Sequence, residues 1–350
     1  MASPTDFTFS SNYFGTHSAE TPRRYAFAAE DAATLQHWQR ALRAELVDRL
    51  GINRIAARCT ASPVATKRGE VRLDDHIREH WEIWTEPGMR VPFFLLRPIE
   101  VDAPRPLVLC PHGHNKRGRF DYAGITTDDN GQTHAIDGDR DIALQAVRQG
   151  YVAVAPEARA FGESRFEREV KSDSPHSCIT WQSRALMFGR TLIGERVWDI
   201  MRLIDYAATR PDIDTSRIVI TGNSGGGTVT LFAAAVETRI SIAVPGAYFC
   251  TFADSIGSIH HCPCNYFPGM MELAEMPEIA GLIAPRPFLA VNGKDDPIFP
   301  IRGTQAAFEQ LKRIYTVAGA ADRCELYIGD GGHRYFAEPV WPFVSKWLGC

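Results

Sequence analysis

One stretch decides the fold of this chain: Arg217-Ile218-Val219-Ile220-Thr221-Gly222-Asn223-Ser224-Gly225-Gly226-Gly227. The apolar, β-branched run predicts a strand, and the glycines after it predict a sharp turn that leads into a helix. Within the turn, Gly222-x-Ser224-x-Gly226 matches the nucleophile elbow, in which a strained backbone holds a serine hydroxyl clear of the sheet. Because residues 228–235 continue as a predicted helix, N–H groups at its start should favour an oxyanion beside the serine. A glycine-rich turn with an incidental serine is the alternative.

The composition is that of an ordinary globular protein. The 350 residues fit one large α/β domain with insertions, and the 45% of hydrophobic residues can bury a large core. The net charge is -4, and the lysines and arginines are scattered along the chain, which argues against nucleic acid or an anionic membrane as the main partner. A small-molecule substrate is therefore expected, whereas the oligomeric state does not follow from the sequence.

The ends and the cysteines favour a cytoplasmic location. No apolar run reaches the ~18 residues that cross a bilayer, and residues 1–12 are polar, with no hydrophobic secretory segment. Eight cysteines in a chain of this length do not make a disulfide framework. Four of them lie in apolar or strand-like surroundings, as small buried side chains do: Cys59, Cys110, Cys250 and Cys324.

Strand and helix patterns alternate along most of the chain. A helix is predicted over 28–50, and 79–85 with 90–97 form a predicted hairpin. Further strands are predicted at 107–110, 151–156, 217–221, 240–244, 287–292 and 324–328, and further helices at 139–148, 195–209, 228–236, 304–317 and 336–348. This alternation predicts an α/β fold with a mostly parallel central sheet and helices on both faces.

Two parts of the chain are expected from these patterns. Residues 1–74 form an N-terminal tail and helical extension, and residues 75–350 form the α/β domain. Residues 246–283 break the alternation with aromatic residues, cysteine, proline and methionine. We expect this segment to be an insert or lid over the active site.

A serine hydroxyl becomes a nucleophile when a base takes its proton and a third group orients that base. Asp296 and His333 each follow a predicted strand closely. The order Ser224, Asp296, His333 therefore places all three at the carboxyl ends of strands, where open α/β sheets bind ligands. We predict that they form a Ser-His-Asp triad, with the adjacent Asp295 as the alternative acid.

The oxyanion of a tetrahedral intermediate needs two hydrogen-bond donors. The N–H of Gly225, directly after the serine, is expected to be one donor. The other is expected from Gly113 or His114, because Pro111-His112-Gly113-His114 resembles the His-Gly oxyanion turn of lipases and esterases. The two histidines of this turn could bind a metal instead, but no carboxylate stands at a matching spacing.

The insert contains the run His260-His261-Cys262-Pro263-Cys264. Such side chains can bind metals, yet C-x-C lacks the spacing of a zinc knuckle, and the sequence suggests no second Cys or His pair nearby. A bridge between the two cysteines is disfavoured by disulfide geometry. We expect a pocket wall in which His260, His261 and Tyr266 contact the substrate, with simple packing as the alternative. No metal or cofactor is expected.

Taken together, these motifs resemble the α/β-hydrolase superfamily over residues 75–350. The stretch Pro156-Glu157-Ala158-Arg159-Ala160-Phe161-Gly162-Glu163-Ser164 is similar to the loop that follows the fourth strand in that superfamily. The N-terminal helix, the loop 111–115 and the insert 260–269 resemble acetyl xylan esterase-like and dienelactone-hydrolase-like carbohydrate esterases. Gly225 departs from this pattern, since many of these esterases carry a larger residue such as Gln there.

The resemblance implies a serine esterase that cleaves a carboxylic ester, such as an acetyl or methyl ester on a sugar, without a cofactor. A peptidase of the prolyl-oligopeptidase type uses the same triad order and is one alternative. It carries an N-terminal propeller, which roughly 100 residues ahead of the sheet cannot form because each blade needs ~40 residues. A non-catalytic binding protein on a hydrolase fold is the other alternative.

Overall fold

The computed structural model describes residues 13, 16–17, 20–100 and 102–349. Its strands are β1 (Val64–Arg72), β2 (His76–Glu86), β3 (Met89–Pro98), β4 (Arg105–Leu109), β5 (Val152–Pro156), β6 (Ile213–Asn223), β7 (Ile242–Gly246), β8 (Phe288–Gly293) and β9 (Cys324–Gly329). They form one sheet in the order β1-β2-β3-β5-β4-β6-β7-β8-β9. The first three strands are antiparallel, and β4 to β9 are parallel to one another. The predicted mostly parallel sheet is confirmed.

Helices connect the strands and cover both faces of the sheet. They are α1 (Ala32–Arg49), α2 (Ile52–Ala56), α3 (Arg119–Tyr122), α4 (Ile142–Arg148), α5 (Glu167–Lys171), α6 (Cys178–Met187), α7 (Leu192–Ala207), α8 (Gly225–Val236), α9 (Met270–Leu273), α10 (Met276–Gly281), α11 (Ile301–Val317) and α12 (Val340–Leu348). Three short 3-10 turns lie at Gly162–Ser164, Pro263–Asn265 and Ala321–Arg323. In the part of the chain that the structure describes, we find no helix with the length and apolar character that a membrane span requires.

Alternate side chains of the central strands enter two different cores. Leu107 and Leu109 of β4 belong to a large core shared with α1, α7, α8 and α11, whereas Val108 belongs to a second core shared with α4 and α12. Successive side chains of a strand point to opposite faces, so a strand buried on both faces is apolar at every position. This is why the short apolar runs in the sequence identify the central strands.

The N-terminal helix packs into the large core. It begins at Ala32 because the Asp31 carboxylate accepts the Thr34 N–H at 2.8 Å, and the Thr34 hydroxyl accepts the Asp31 N–H in return. Gly51, beyond its end, has the left-handed φ of 79° that the expected glycine cap requires. The predicted helix is confirmed, although it starts four residues later than expected and is followed by the short helix α2.

Several elements were not predicted from the sequence, among them strand β1 and helices α2, α3, α5 and α6. Strand β1 pairs with β2 across the expected boundary at residue 74, and its mostly exposed, charged side chains give no apolar pattern. Helices α5 and α6 occupy a region for which no element was expected. The predicted insert contains a 3-10 turn and the short helices α9 and α10, and no strand of the described chain lies between them. The predicted tail falls largely outside the described residues.

Candidate active site

Ser224 occupies the turn between β6 and α8, with φ 58° and ψ -118°. Such a conformation is strained for any residue with a Cβ. Its N–H donates to the carbonyl of Gly246 at 2.8 Å, and its carbonyl accepts the N–H of Thr228 at 2.9 Å. These two backbone bonds tie the strained residue to the next strand and to the first turn of the helix. The predicted strand-turn-helix around the serine is therefore present.

An acid and a histidine meet at the ends of the next two strands. Asp296 Oδ2 lies 2.8 Å from His333 Nδ1. The other carboxylate oxygen accepts the N–H groups of Ile298 and Phe299 at 2.8 and 3.2 Å. Asp296 is buried, whereas the adjacent Asp295 is exposed. Asp296 is thus the aspartate that can orient the imidazole, and Nε2 is the ring nitrogen left for a substrate or a nucleophile.

Ser224 and His333 line one small cleft, together with Gly113, Asn223, Tyr122 and Arg140. The His333 ring stacks on Phe299, with 5.8 Å between ring centroids. The Tyr122 hydroxyl accepts the Asn223 N–H at 3.1 Å, and burial raises the pKa of this phenol. Neither Tyr122, the last residue of α3, nor Arg140, which precedes α4, was expected at the site.

The predicted oxyanion turn lies directly against the serine. A Cβ atom at Gly113 would lie 2.5 Å from the carbonyl oxygen of Asn223 and 3.2 Å from Ser224 Cβ. Glycine is therefore required for the close approach of the two backbones. The same Cβ atom would lie 3.3 Å from the backbone nitrogen of Gly225.

A buried network of hydrogen bonds and ion pairs holds the oxyanion turn in place. The imidazole of His112 has Nε2 2.8 Å from Glu157 Oε1 and Nδ1 2.8 Å from the carbonyl oxygen of Gly113. The second oxygen of Glu157 pairs with Arg119, which also binds Glu163 at 2.6 and 2.8 Å. His112, Arg119 and Glu157 are all buried. His112 is thus engaged in fixing the turn.

The side chain of His114 lies over Gly225. A Cβ atom at residue 225 would lie 2.9 Å from His114 Nδ1 and 3.2 Å from its Cε1. Real Cβ atoms are not found this close to ring atoms, so the ring and a larger residue at 225 exclude each other. This contact explains why glycine follows the serine where a larger residue was expected from the resemblance.

The predicted substrate contacts of the insert have other partners in the structure. His261 Nδ1 lies 2.9 Å from Asn265 Nδ2, and the Tyr266 hydroxyl donates to the carbonyl of Ile256 at 3.0 Å. His260 is exposed. Residues 260, 261 and 266 are not among those that line the cleft beside Ser224. Their role as substrate contacts stays a prediction.

Four potential metal ligands converge beside the oxyanion turn. The nitrogen of His114 and the sulfur atoms of Cys178, Cys262 and Cys264 all lie within 4.8 Å of one another. The expectation that no second Cys or His pair lies near the C-x-C motif is wrong, because folding brings His114 of the oxyanion turn and Cys178 of α6 beside it. Nothing in the sequence pointed to Cys178, which is 84 residues from Cys262 along the chain.

The thiols of this cluster are free and interact with one another. All seven cysteines in the described part of the chain are free. Burial raises the pKa of Cys264, but hydrogen bonds from Cys178 and Cys262 and the positive charge of Arg196 oppose it, so that the pKa of Cys264 lies well below that of an ordinary thiol. The cluster can therefore hold negative charge on sulfur.

Comparison with known proteins agrees with this architecture. A model of the Abhydrolase family matches residues 14–335. The Bacillus subtilis protein named "Putative hydrolase YtaP" is 27% identical over 274 residues, which cover 74% of this chain and 84% of that protein.

Three solved structures share the fold. A "putative acetyl xylan esterase" from Bacteroides fragilis superimposes with a TM-score of 0.76 at 20% identity, covering 95% of this chain and 83% of that one. A methylesterase gives 0.69 at 22% identity, covering 97% and 68%. A glucuronoyl esterase from Solibacter usitatus gives 0.65 at 14% identity, covering 95% and 100%.

Proposed function

Since the chain belongs to the Abhydrolase family, we propose that Ser224, His333 and Asp296 are the catalytic triad of a serine hydrolase that cleaves carboxylic esters. The protein has the α/β-hydrolase fold. The observation that carries the proposal is the bond of 2.8 Å between Asp296 and His333, whose imidazole lines the same cleft as the strained Ser224. A binding protein would have no need for an oriented imidazole beside a strained serine.

In the proposed reaction, Ser224 Oγ attacks the ester carbonyl carbon while His333 Nε2 takes the hydroxyl proton. The tetrahedral intermediate collapses, the C–O bond to the alcohol breaks, and His333 returns the proton to the departing alcohol. Water then attacks the acyl-enzyme by the same route and releases the acid. Asp296 keeps the proton on His333 Nδ1, which leaves Nε2 as the base, and stabilises the imidazolium that forms.

The oxyanion needs donors that are already in place before the reaction. We assign one donor to the N–H of Gly225, which begins α8 and lies at the positive end of the helix dipole. The second is assigned to His114, the other candidate being Gly113, because the His114 side chain lies against Gly225, which carries the first donor. The buried network of His112, Glu157 and Arg119 keeps the turn in place during turnover.

The alcohol or acyl part of the substrate is proposed to belong to a carbohydrate, as an acetyl or methyl ester. The structural neighbours are named as acetyl xylan, methyl and glucuronoyl esterases. The small cleft beside Ser224 has the charged Arg140 and the polar Tyr122 and Asn223 on its wall, groups that can bind hydroxyl or carboxylate groups of a sugar. The cleft is also too small to hold a long acyl chain.

The test of the triad is covalent labelling by a fluorophosphonate probe together with hydrolysis of p-nitrophenyl acetate. We expect labelling at Ser224, identified by peptide mass spectrometry, and a loss of both signals in Ser224→Ala. Ser216→Ala, a serine at an exposed position near the other end of β6, is the matched control and should behave as the wild type. A wild-type protein that is folded, unlabelled and inactive would refute the hydrolase proposal.

The substrate class is tested by comparing acetylated xylosides, methyl esters of uronic acids, p-nitrophenyl esters of longer acids and peptide amides. We expect the highest kcat/KM for the sugar esters. An Arg140→Gln variant separates the two sugar classes, because loss of the cation should weaken binding of an acidic sugar more than that of a neutral one. Preferential cleavage of peptide amides would replace this proposal by the peptidase function.

A further inference from the structure

We propose that His114, Cys178, Cys262 and Cys264 bind one zinc ion in a closed tetrahedral site that fixes the oxyanion turn. The ligand atoms of these residues lie within 4.8 Å of one another. Three thiols and an imidazole are a ligand set that zinc prefers in structural sites. This set was not expected from the sequence, and its assembly depends on the folded chain.

The distances suit a four-coordinate ion. Zinc binds sulfur at about 2.3 Å and imidazole nitrogen at about 2.1 Å, which places neighbouring ligands of a tetrahedron about 3.6 Å apart. His114 Nε2 lies 3.3 Å from Cys264 Sγ and 3.9 Å from Cys178 Sγ. The His114 ring therefore directs Nε2 toward the sulfur atoms. One of these two distances is slightly shorter, and the other slightly longer, than the separation expected between tetrahedral ligands.

A buried cation beside the cluster also suits a negatively charged ligand set. Arg196 is buried, with 5% of its surface exposed, and its Nη2 lies 3.4 Å from Cys178 Sγ. Its other hydrogen bonds go to the carbonyl of Arg159, and no Asp or Glu of the described chain forms an ion pair with it. Because a buried guanidinium is costly unless an anion compensates its charge, a negatively charged group other than a carboxylate is expected beside Arg196.

A zinc site supplies this anion. Three thiolates and one divalent ion carry a net charge of -1, which the guanidinium of Arg196 neutralises. Three neutral thiols would leave Arg196 uncompensated. A disulfide between two of the three cysteines would give no reason for the third cysteine and the imidazole to point at the same place.

The ligands come from three segments that are each held independently. Cys178 is the first residue of α6, and Cys262 and Cys264 flank the proline that starts a 3-10 turn. That turn is anchored by Asn265, whose amide oxygen accepts the Thr228 hydroxyl of α8 at 2.8 Å. Because four protein ligands close the coordination shell, the ion has no position for substrate, and its role is structural.

The consequence for the active site, which rests on the proposed function, concerns the position of one backbone donor. His114 would be held on one side by the ion and on the other by Gly225, which lies against Nδ1. Its N–H group, the second donor to the oxyanion, could then not drift away from Ser224. The ion would thus connect the insert to the catalytic turn.

The proposal is tested by metal content and spectroscopy, neither of which needs activity. Protein purified with zinc in the medium and without chelator should contain about one zinc per chain. The apoprotein, prepared under reducing conditions and titrated with Co²⁺, should develop the intense thiolate-to-cobalt charge-transfer band and the visible bands of a tetrahedral site, saturating at one equivalent. Absence of both bound zinc and the cobalt spectrum would overturn the proposal.

Variants and thiol protection make the assignment specific. Cys264→Ser and His114→Ala should lower the zinc content severalfold, whereas Cys59→Ser, which removes a half-buried thiol outside the cluster, should keep it. Zinc should also protect Cys178, Cys262 and Cys264 of the wild type from alkylation, which requires no variant to fold. A disulfide among these three cysteines in protein that binds no zinc would overturn the site. Fluorophosphonate labelling, scored separately, reports on the hydrolase proposal alone.

Discussion

The Nδ1 atom of His333 lies 2.8 Å from the Oδ2 atom of Asp296. The second oxygen of Asp296 accepts backbone N–H groups, so the carboxylate is held on one side by the chain and presents the other to the imidazole. Asp295, one residue earlier, is exposed and has its side chain outside this arrangement. The pair fixes which nitrogen of His333 can act as a base.

Asp296→Asn is expected to lower kcat by about 10⁴-fold, because the amide favours the wrong tautomer of His333. Asp295→Asn is the matched control and should leave kcat close to the wild-type value. Steady-state kinetics on p-nitrophenyl acetate with both variants decide the matter. A larger loss of kcat in Asp295→Asn would show that Asp295, and not Asp296, orients His333.

Gly225→Ala is expected to destabilise the protein by about 1–3 kcal/mol, because the new methyl group would meet the His114 ring. Alanine is otherwise the better helix former, so helix propensity alone predicts the opposite sign. Urea unfolding measures the change. The control is Gly69→Ala, because a Cβ atom there would have no described atom within 4 Å beyond its chain neighbours. The penalty should shrink in the Gly225→Ala, His114→Ala double variant, and an equal penalty in both backgrounds would contradict the contact.

Glu157→Gln is expected to destabilise the fold by about 3 kcal/mol or more, because it leaves Arg119 and His112 without their shared buried carboxylate. The turnover number should fall as well, since this network supports the oxyanion turn. Guanidinium unfolding and kcat are the two readouts. The exposed pair of Glu167 and Lys171 provides the control, since Glu167→Gln should change stability by about 0.5 kcal/mol or less. Equal effects of the two substitutions would show that the network has no such role.

The half-buried His80 should make stability depend on pH. Burial lowers the pKa of His80 below its ordinary value, and the positive charge of Arg119 lowers it further. Below about pH 6.5 the unfolded chain therefore takes up a proton that the folded protein does not, so the free energy of unfolding falls as the pH falls. The stabilising contribution of neutral His80 is fully present above that pH.

Urea unfolding at pH 7.5 and pH 5.5 tests this dependence. The decrease in unfolding free energy between the two pH values should be smaller in His80→Gln than in the wild type. The exposed His37 provides the comparison, because His37→Gln should retain the wild-type decrease. Identical decreases in all three proteins would rule out His80 as the source.

The sequence predicts the parallel strands well, because a strand that is buried on both faces is apolar at every position. It misses β1, whose charged edge-strand residues look like a loop, and α6, a helix on the surface with no clear apolar stripe. Missing β1 and missing α6 have different consequences for the site. Strand β1 extends the sheet far from Ser224, whereas α6 carries Cys178, so the missed helix concealed a ligand of the proposed zinc site.

The candidate triad could be predicted because each member depends on local chain geometry. A strand end is encoded in a few neighbouring residues, and parallel strands bring their carboxyl ends to one edge of the sheet. Which of two adjacent aspartates faces the histidine is decided by the turn in which they lie. The turn buries Asp296 and exposes Asp295, an outcome that the spacing only suggests.

By itself, the sequence determined the nucleophile elbow and the alternating strands and helices that follow it, since these depend on residues that are near one another along the chain. Only the tertiary structure decided that His114 meets Cys264, 150 residues further along the chain, and that Cys178 joins them. The spacing of such residues along a chain does not constrain their distance in space once helices and strands lie between them. The same contact explains Gly225: its small size is required by a ring from another loop, and no local pattern carries that information.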